Sequence, residues 1–455
     1  MSSTEPFRDI EADNDRALNT LVRAITLAQD QFALIVVRCN YVELRNRIVV
    51  RLKERCPVPL QTLTLPETAK TLYTTIQHAM APPASESPPP QALMIFGLES
   101  VAALDQVLVA TNIVREELRK TLPFPLVLWV NDRVLHTFDR LAPDLKSWAG
   151  NAIIQFDLTI SELIHSLKDH TDRLFASILD VGGEWVLSTP PFSLRSNALR
   201  RTELEFALND IHASGQPLEP ELQADLDFLL GRDAQSQGEL EMAQECYQRS
   251  LEFWQDNSGN IKDDRKPPFQ STYERLPSAL ERAACILVHL GLCWRSYAVM
   301  QRTAYIPACE EALAYFQRSL EMFEQANRLD LIAKFIIPQA EVLQKLERWD
   351  ELEILARNAL VLHKLYADPV RQARDHGFLA EVALSKQHWM SAKQHVEAAL
   401  SILEDAESGV SDDDLLIPHV ETSLELARRY HQGWYLLLLA RAEGKLGNGT
   451  AAIDH

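Results

Sequence analysis

Glu99, Asn131 and Asp132 are the side chains of the N-terminal region whose types and positions could serve nucleotide chemistry. Glu99 follows the apolar run ALMIFGL, and Asn131 and Asp132 follow PLVLWV. A carboxylate at the end of a buried strand can hold Mg²⁺ through its water shell, and a polar residue beside it can face a γ-phosphate. The alternative is local: Glu99 as a charge at a helix N-terminus, and Asn131 with Asp132 as turn formers.

A phosphate-binding loop is missing from the place where these residues would need one. Such a loop wraps an anion with glycine N–H groups and adds a lysine and a hydroxyl residue. After the first apolar strand the sequence reads instead RCNYVE, from Arg38 to Glu43, without glycine or lysine. We therefore expect no hydrolysis and no obligatory cofactor, while binding of ATP or ADP without hydrolysis stays open.

A second candidate site is a set of charged positions in the C-terminal half. In the repeat register given below they face the groove lined by the first helix of each pair, and five of the six are basic: Arg232, Arg295, Lys334, Glu341, Arg374 and Arg441. Guanidinium groups bind carboxylates through two charge-assisted hydrogen bonds, which favours an acidic peptide or carboxylate ligand. The alternative, of equal weight, is that these charges keep the groove soluble.

Other signatures of catalysis or metal binding are missing from the sequence. The six cysteines form no CxxC pair, and we expect buried, reduced thiols and no metal site. The 13 histidines are scattered, with His363, His388 and His395 on predicted repeat helices, where surface or packing roles are expected. No GxSxG or HExxH motif occurs, so the sequence does not predict an enzyme.

Short β-branched runs alternate with amphipathic helical stretches from Gln31 to about Leu158, a pattern that predicts a parallel sheet covered by helices. The predicted strands are Phe32–Cys39, Leu60–Leu65, Ala92–Leu98, Pro125–Val130 and Ala152–Phe156. Ligands of such sheets bind at the carboxyl ends of the strands, which is where Glu99, Asn131 and Asp132 fall. Two further amphipathic helices, Ile160–Leu179 and Asn197–Ile211, belong to a connector.

The strand order and the segment from Leu126 to Phe156, with Ala142, Pro143 and Asp144 in its turn, resemble the NTPase domains of bacterial STAND proteins. In that family a tetratricopeptide sensor array commonly follows the NTPase domain. The resemblance implies a phosphate-loop NTPase-like α/β fold, here degenerate because the phosphate loop is missing.

An internal repeat organises the C-terminal half. YQRSLE from Tyr247 returns as FQRSLE from Phe316, and each aromatic residue lies between small residues at helical spacing. The same register recurs at Leu352, Ala356 and Ala359, and at Ala392, Val396 and Ala399. This pattern resembles the tetratricopeptide repeat family, in which small residues let paired helices approach and bulky residues fill the gap between repeats.

The predicted organisation has three parts: an NTPase-like domain in residues 1–158, a helical connector in 159–220 and a repeat array in 221–455. Leu439, Ala440 and Gly447 begin a fifth repeat whose second helix, at Ala452, is incomplete. Solenoids usually end in a polar capping helix, so we expect either a piece of a longer chain or a partner that covers the last repeat.

Bulk composition limits the partners. The formal net charge of −19 argues against nucleic acid, because phosphate recognition requires clustered Lys and Arg. No secretory signal is evident, and no apolar run approaches the roughly 20 residues of a membrane span, so a cytoplasmic location is expected. The sequence does not indicate an oligomeric state.

Two functions therefore remain open. One is a non-catalytic adaptor or scaffold that binds a protein or peptide through the repeat groove. The other is a nucleotide-dependent, STAND-like switch with ATP or ADP held near Glu99 and Asn131.

Overall fold

A computed structural model describes residues 9–80, 90–150, 153–182, 198–257, 276–408 and 418–447. The chain divides into two compact units, and the division falls inside one helix, after Leu167. Residues 1–167 and 197–217 form the first unit, and residues 168–196 and 218–455 the second. The predicted connector is thus shared between the two units.

The first unit is a parallel sheet with helical crossovers. Its elements are α1 (Ile10–Leu27), β1 (Ala33–Cys39), α2 (Val42–Arg55), β2 (Leu60–Thr64), α3 (Leu72–Met80), β3 (Ala92–Phe96), a 3-10 turn (Leu98–Ser100), α4 (Leu104–Ile113), α5 (Arg115–Thr121), β4 (Pro125–Val130), α6 (Asp132–Leu141), α7 (Pro143–Ser147), β5 (Ile154–Phe156), the start of α8 (Ile160–Val181) and α9 (Ala198–Ser214).

All five strands run parallel in the order β2-β3-β4-β1-β5, which confirms the predicted sheet. β4 pairs with both β1 and β3, and each of its six residues is buried, as expected for a strand covered on both faces. Because all strands point the same way, their carboxyl ends share one edge of the sheet.

The second unit is an array of paired helices. Besides the end of α8 it contains α10 (Pro220–Gln237), α11 (Leu240–Asp256), α12 (Ala279–Met300), α13 (Tyr305–Gln325), α14 (Leu329–Phe335), α15 (Ile337–Lys345), α16 (Trp349–Leu365), α17 (Pro369–Ser385), α18 (Trp389–Ser408) and α19 (Pro418–Leu446). The first helices of successive repeats are α10, α12, α14 with α15, α17 and α19. The predicted helix at Ala452 lies outside the described residues.

The first helix of the third repeat is broken at Ile336, between α14 and α15. Pro338 explains the break, because proline lacks an amide hydrogen and its ring clashes with the carbonyl four residues earlier.

Buried positions recur every 40 residues in the second helices. Ala312, Leu352 and Ala392 are fully buried, and so are the equivalents of Phe316, at Ala356 and Val396. This interval is longer than the roughly 34 residues usual for tetratricopeptide repeats, because each helix with its turn takes 20 residues.

The turns of the array share one backbone conformation at the helix ends. Asn327, Glu347, Ala367 and Gln387 lie 20 residues apart, and each has a positive φ, between 52° and 59°. The N–H of the next residue bonds back to the last helical turn, as from Asp368 to the carbonyl of His363 at 2.9 Å. This is the left-handed helix ending that glycine usually provides.

Ala367→Gly is expected to stabilise the array by about 0.5–1 kcal/mol, since a side chain in the left-handed region costs roughly 1–2 kcal/mol. Urea unfolding followed by circular dichroism measures the change. Ala314→Gly, on the exposed side of α13, is the matched control and should cost about 1 kcal/mol. Equal destabilisation by both changes would contradict the assignment of the turn.

Helix α12 is, within the ranges described, the one helix long and apolar enough to cross a membrane by length and composition. The sequence analysis predicted no apolar run of this length, and α12 corrects that prediction. Of its most apolar window, 67% is buried inside the protein, and it carries the buried charges Glu281 and Arg282. These features are those of a core helix.

Candidate functional site

The carboxyl edge of the sheet holds an ion-pair cluster centred on Arg38, at the end of β1. Arg38 donates to both carboxylate oxygens of Asp132, at 2.6 and 2.5 Å, and also pairs with Asp157. Asn40 donates to Asp132 Oδ2 at 2.7 Å and accepts from the Asp132 backbone N–H at 2.9 Å. Residues following three adjacent strands, β4, β1 and β5, are thereby tied together.

The electrostatics of this cluster favour its charged form. Although burial works in the opposite direction, hydrogen bonds from Arg38 and Asn40 hold the pKa of Asp132 below its usual value. The hydrogen bond to Asp132 raises the pKa of Arg38. Both shifts favour the charged forms of Arg38 and Asp132.

Glu99 lies in the 3-10 turn after β3 and pairs with Arg45 of α2. Arg45 Nη1 donates to Glu99 Oε1 at 2.6 Å, and the guanidinium lies 5.2 Å from the ring centre of Phe96. The Glu99 side chain is only 8% exposed, and within the described part of the chain its Oε2 has no hydrogen-bond partner.

Asn131 and Asp132 both act at the start of α6. The side chain of Asn131 accepts from the Val134 N–H at 2.9 Å, which makes it the N-cap of the helix. Asp132 occupies the first turn, where a negative charge favours the helix dipole. These contacts agree with the local interpretation of both residues, and Glu99 is engaged with Arg45.

The loop after β1, where a phosphate loop would lie, is held by helix α9. The N–H of Val42, at the start of α2, donates to Glu203 Oε1 at 3.2 Å, and the Tyr41 hydroxyl donates to Asp210 Oδ2 at 2.5 Å. Helix N-termini attract anions, and here the anion is a carboxylate of the chain itself. Sequence reasoning missed this contact because Val42 and Glu203 lie 161 residues apart.

Three of the predicted groove residues form a row of ion pairs across the first helices of the array. Glu341 of α15 accepts from Arg295 of α12 and from Arg374 of α17, each at 2.7 Å. Arg374 lies 3.0 Å from Nδ1 of His431 on α19. Burial, followed by the charge of Arg374, lowers the pKa of His431 to about 4, so the ring accepts from Arg374 as a neutral group. We call Arg295, Glu341, Arg374 and His431 the charged row.

The other three predicted groove residues lie in different surroundings. Arg232 lies in the interior, 6% exposed, beside Tyr247 and Cys285. Lys334 donates to the backbone carbonyl of Asp180 at 2.6 Å. Arg441 is exposed on α19. Within the described residues, the structure thus brings together Arg295, Glu341 and Arg374, and it places Arg232, Lys334 and Arg441 in other surroundings.

Arg282, Asp225 and Asp172 form a buried triad in the array that the sequence analysis did not predict. Arg282 of α12 donates to both oxygens of Asp225 at 2.9 Å and also pairs with Asp172 of α8. Its guanidinium lies between two rings, 4.7 Å from Phe175 and 4.9 Å from Trp254. Burial raises the pKa of Asp225 to about 6. The contacts span 57 and 110 residues, beyond any local pattern.

Three of the cysteine thiols are buried and have raised pKa values. Burial raises the pKa of Cys39 to about 11 and those of Cys285 and Cys293 to about 12, so the nucleophilic thiolate is rare at neutral pH. No group of three or more His, Cys, Asp or Glu side chains in the described ranges is arranged to hold a metal ion.

No protein-family model matches the chain, and no curated protein matches it. Among solved structures it is similar to the apo form of RapI, at 14% identity over 65% of this chain and 72% of that one, with a TM-score of 0.41. A putative kinesin light chain with TPR-like repeats from Podosopora anserina matches at 11% identity over 52% and 93%, with a TM-score of 0.33.

A Signal Transduction ATPase with Numerous Domains from Pyrococcus horikoshii, which carries a tetratricopeptide repeat sensor, matches at 10% identity over 99% of this chain and 83% of that one. Its TM-score is 0.31. Tetratricopeptide-like repeat proteins thus recur among the similar structures. The helical repeat is established by the paired helices of the chain itself.

Proposed function

We propose that this chain is a non-catalytic interaction scaffold that binds a protein or peptide partner through the first helices of its repeat array. The observation that carries the proposal is the charged row, which crosses four consecutive first helices, α12, α15, α17 and α19. Its arginines are still 18% and 17% exposed at Arg295 and Arg374. A carboxylate of a partner can exchange with Glu341 for the same guanidinium groups, which bind carboxylates through paired hydrogen bonds. The partner is therefore an acidic segment.

The carboxyl edge of the sheet supports the non-catalytic part of the proposal. The groups that would meet a nucleotide there are engaged within the chain, as Asp132 is with Arg38 and the Val42 N–H is with Glu203. A nucleotide would have to displace these contacts without a phosphate loop. The α/β unit then serves as a structural platform of degenerate NTPase type.

The test uses the full chain and two labelled helical peptides with the same apolar pattern, one rich in glutamate and the other in lysine. Fluorescence anisotropy should show at least tenfold tighter binding of the acidic peptide, and Arg374→Gln should weaken it by about tenfold, the effect of losing one charged hydrogen bond.

Arg357→Gln is the matched control for that experiment. Arg357 lies on a second helix, α16, is 62% exposed and pairs with Glu353, so its loss should leave binding unchanged. If the two peptides bind equally well, or if Arg374→Gln has no effect, the charged row is not the binding surface.

A second candidate, a STAND-like switch that binds ATP or ADP, is favoured by one observation. The Oε2 atom of Glu99 is buried and has no hydrogen-bond partner within the described ranges. A buried carboxylate oxygen without a partner is costly unless water or a cation satisfies it. Glu99, with Asn131 and Asp132 nearby along the strand ends, would then contact the nucleotide or its Mg²⁺.

A further inference from the structure

The second half of helix α8, Lys168–Val181, belongs to the array unit and lies against its first helices. Asp172 pairs with Arg282 of α12, and the Thr171 hydroxyl contacts Asp225 of α10 at 3.4 Å. Phe175 stacks on Phe228 of α10 with ring centres 4.3 Å apart. This part of α8 therefore contacts the first helices of repeats one and two.

The carboxyl end of α8 reaches the next two repeats. Lys334 of α14 donates to the carbonyls of Asp180, at 2.6 Å, and Leu179, at 3.4 Å. Arg371 of α17 donates to the carbonyl of Val181 at 3.4 Å. Cations at a helix carboxyl end satisfy its free carbonyls and favour its dipole. One helix thus contacts the first helices of four successive repeats.

The contacts have the chemistry expected of a bound ligand. They combine a carboxylate on a buried arginine, an aromatic anchor one helical turn further on, and a helix end held by two cations. Thr171, Phe175 and Ile178 are fully buried. Buried aromatic and arginine anchors contribute much of the affinity of protein interfaces, and removing one partner of a buried charge pair is costly.

We infer that the second half of α8 is a built-in ligand of the first-helix face, and that the external partner is an amphipathic helix that carries the same acid and aromatic pattern and competes with it. This inference rests on the proposed function, because it names the partner of the same face. The partner places a carboxylate at the position of Asp172 and an aromatic ring three residues later, at the position of Phe175.

Competition follows from the covalent link between α8 and the array. A ligand that belongs to the same chain competes at a high effective concentration, so it lowers the apparent affinity of any free helix for the same face. Loosening α8 without changing the array should therefore increase the affinity for a free helix.

The experiment uses a labelled synthetic peptide that copies residues 160–182 and three full-length chains: wild type, Asp172→Asn and Gly182→Ala. Asp172→Asn removes one carboxylate from Arg282 and leaves Asp225 in place. Gly182→Ala keeps all charges but forces a Cβ to within 2.6 Å of the Lys334 side chain, at a φ of +70°. Both changes weaken the packing of α8 on the array, and neither replaces a residue of the first helices.

Both variants should bind the free peptide at least tenfold more tightly than the wild-type chain does, and a peptide with Phe175→Ala should bind none of them. Gly182→Ala keeps the test informative if Asp172→Asn does not fold. If neither variant binds the free peptide more tightly than wild type, α8 is a structural helix and the inference is wrong. If the peptide copying residues 160–182 does not bind while the glutamate-rich peptide still binds, the inference alone is wrong. If neither peptide binds, the proposed function is wrong as well.

Discussion

Replacing Arg282 by methionine is expected to destabilise the repeat array by about 3–5 kcal/mol, because two carboxylates, of Asp225 and Asp172, would remain buried without their shared cation. Arg282 and Asp225 are each 1% exposed, so water cannot replace the lost partner. Urea unfolding at pH 7, followed by circular dichroism, measures the loss.

Arg357→Met is the matched control for this change. Arg357 makes an exposed ion pair with Glu353 four residues away, and such pairs contribute about 0.3–0.5 kcal/mol. A loss at Arg282 as small as the loss at Arg357 would contradict the burial of the triad and the docking of α8 on it.

Asp375→Asn is expected to remove a pH-dependent change of about 2–3 kcal/mol in the free energy of unfolding between pH 4 and pH 7. Asp375 is fully buried, with its Oδ2 at 2.5 Å from Nδ1 of His363, whose Nε2 donates to the carbonyl of Ala333 at 2.8 Å. Burial raises the pKa of Asp375 to about 6, although His363 and Arg371 act against this shift.

The sign of that effect follows from the raised pKa. The folded chain holds the Asp375 proton more tightly than the unfolded chain, so this contribution to stability is complete below about pH 4 and is lost as the pH rises through 6. The asparagine variant does not titrate and should gain stability relative to wild type across that interval. Parallel curves for the two proteins in urea unfolding at each pH would contradict the burial of the carboxyl group. Glu353→Gln, at an ion pair whose Arg357 side chain is 62% exposed, is the control for general charge effects.

The sequence was most informative for features that a local residue pattern determines. β4 was predicted with its observed ends, Pro125 and Val130, because a buried strand is a continuous apolar run. Ala359, Ala392 and Ala399 were all predicted as small packing residues and are all buried, because helix pairs that approach closely require small side chains at fixed spacing.

What could not be predicted depends on contacts between distant segments. Asp172 meets Arg282 across 110 residues, and neither residue carries a local signal that distinguishes it from a solvated charge. The same limit applies to the candidate site: Glu99, Asn131 and Asp132 were correctly placed after strands, but their partners Arg45, Arg38 and Asn40 follow from the folded sheet edge. His363 was expected in a surface or packing role, and its pairing with Asp375 depends on how two repeats stack.

The central claim is that function resides in the repeat array and that the sheet edge is closed by its own side chains. Thermal unfolding of the full chain, titrated with ATP or ADP and Mg²⁺, tests it most directly, since a ligand at 100 times its dissociation constant would add about 2.7 kcal/mol of stability. We predict no saturable shift. A saturable upward shift that Glu99→Gln abolishes would contradict the account and establish nucleotide binding at the strand ends.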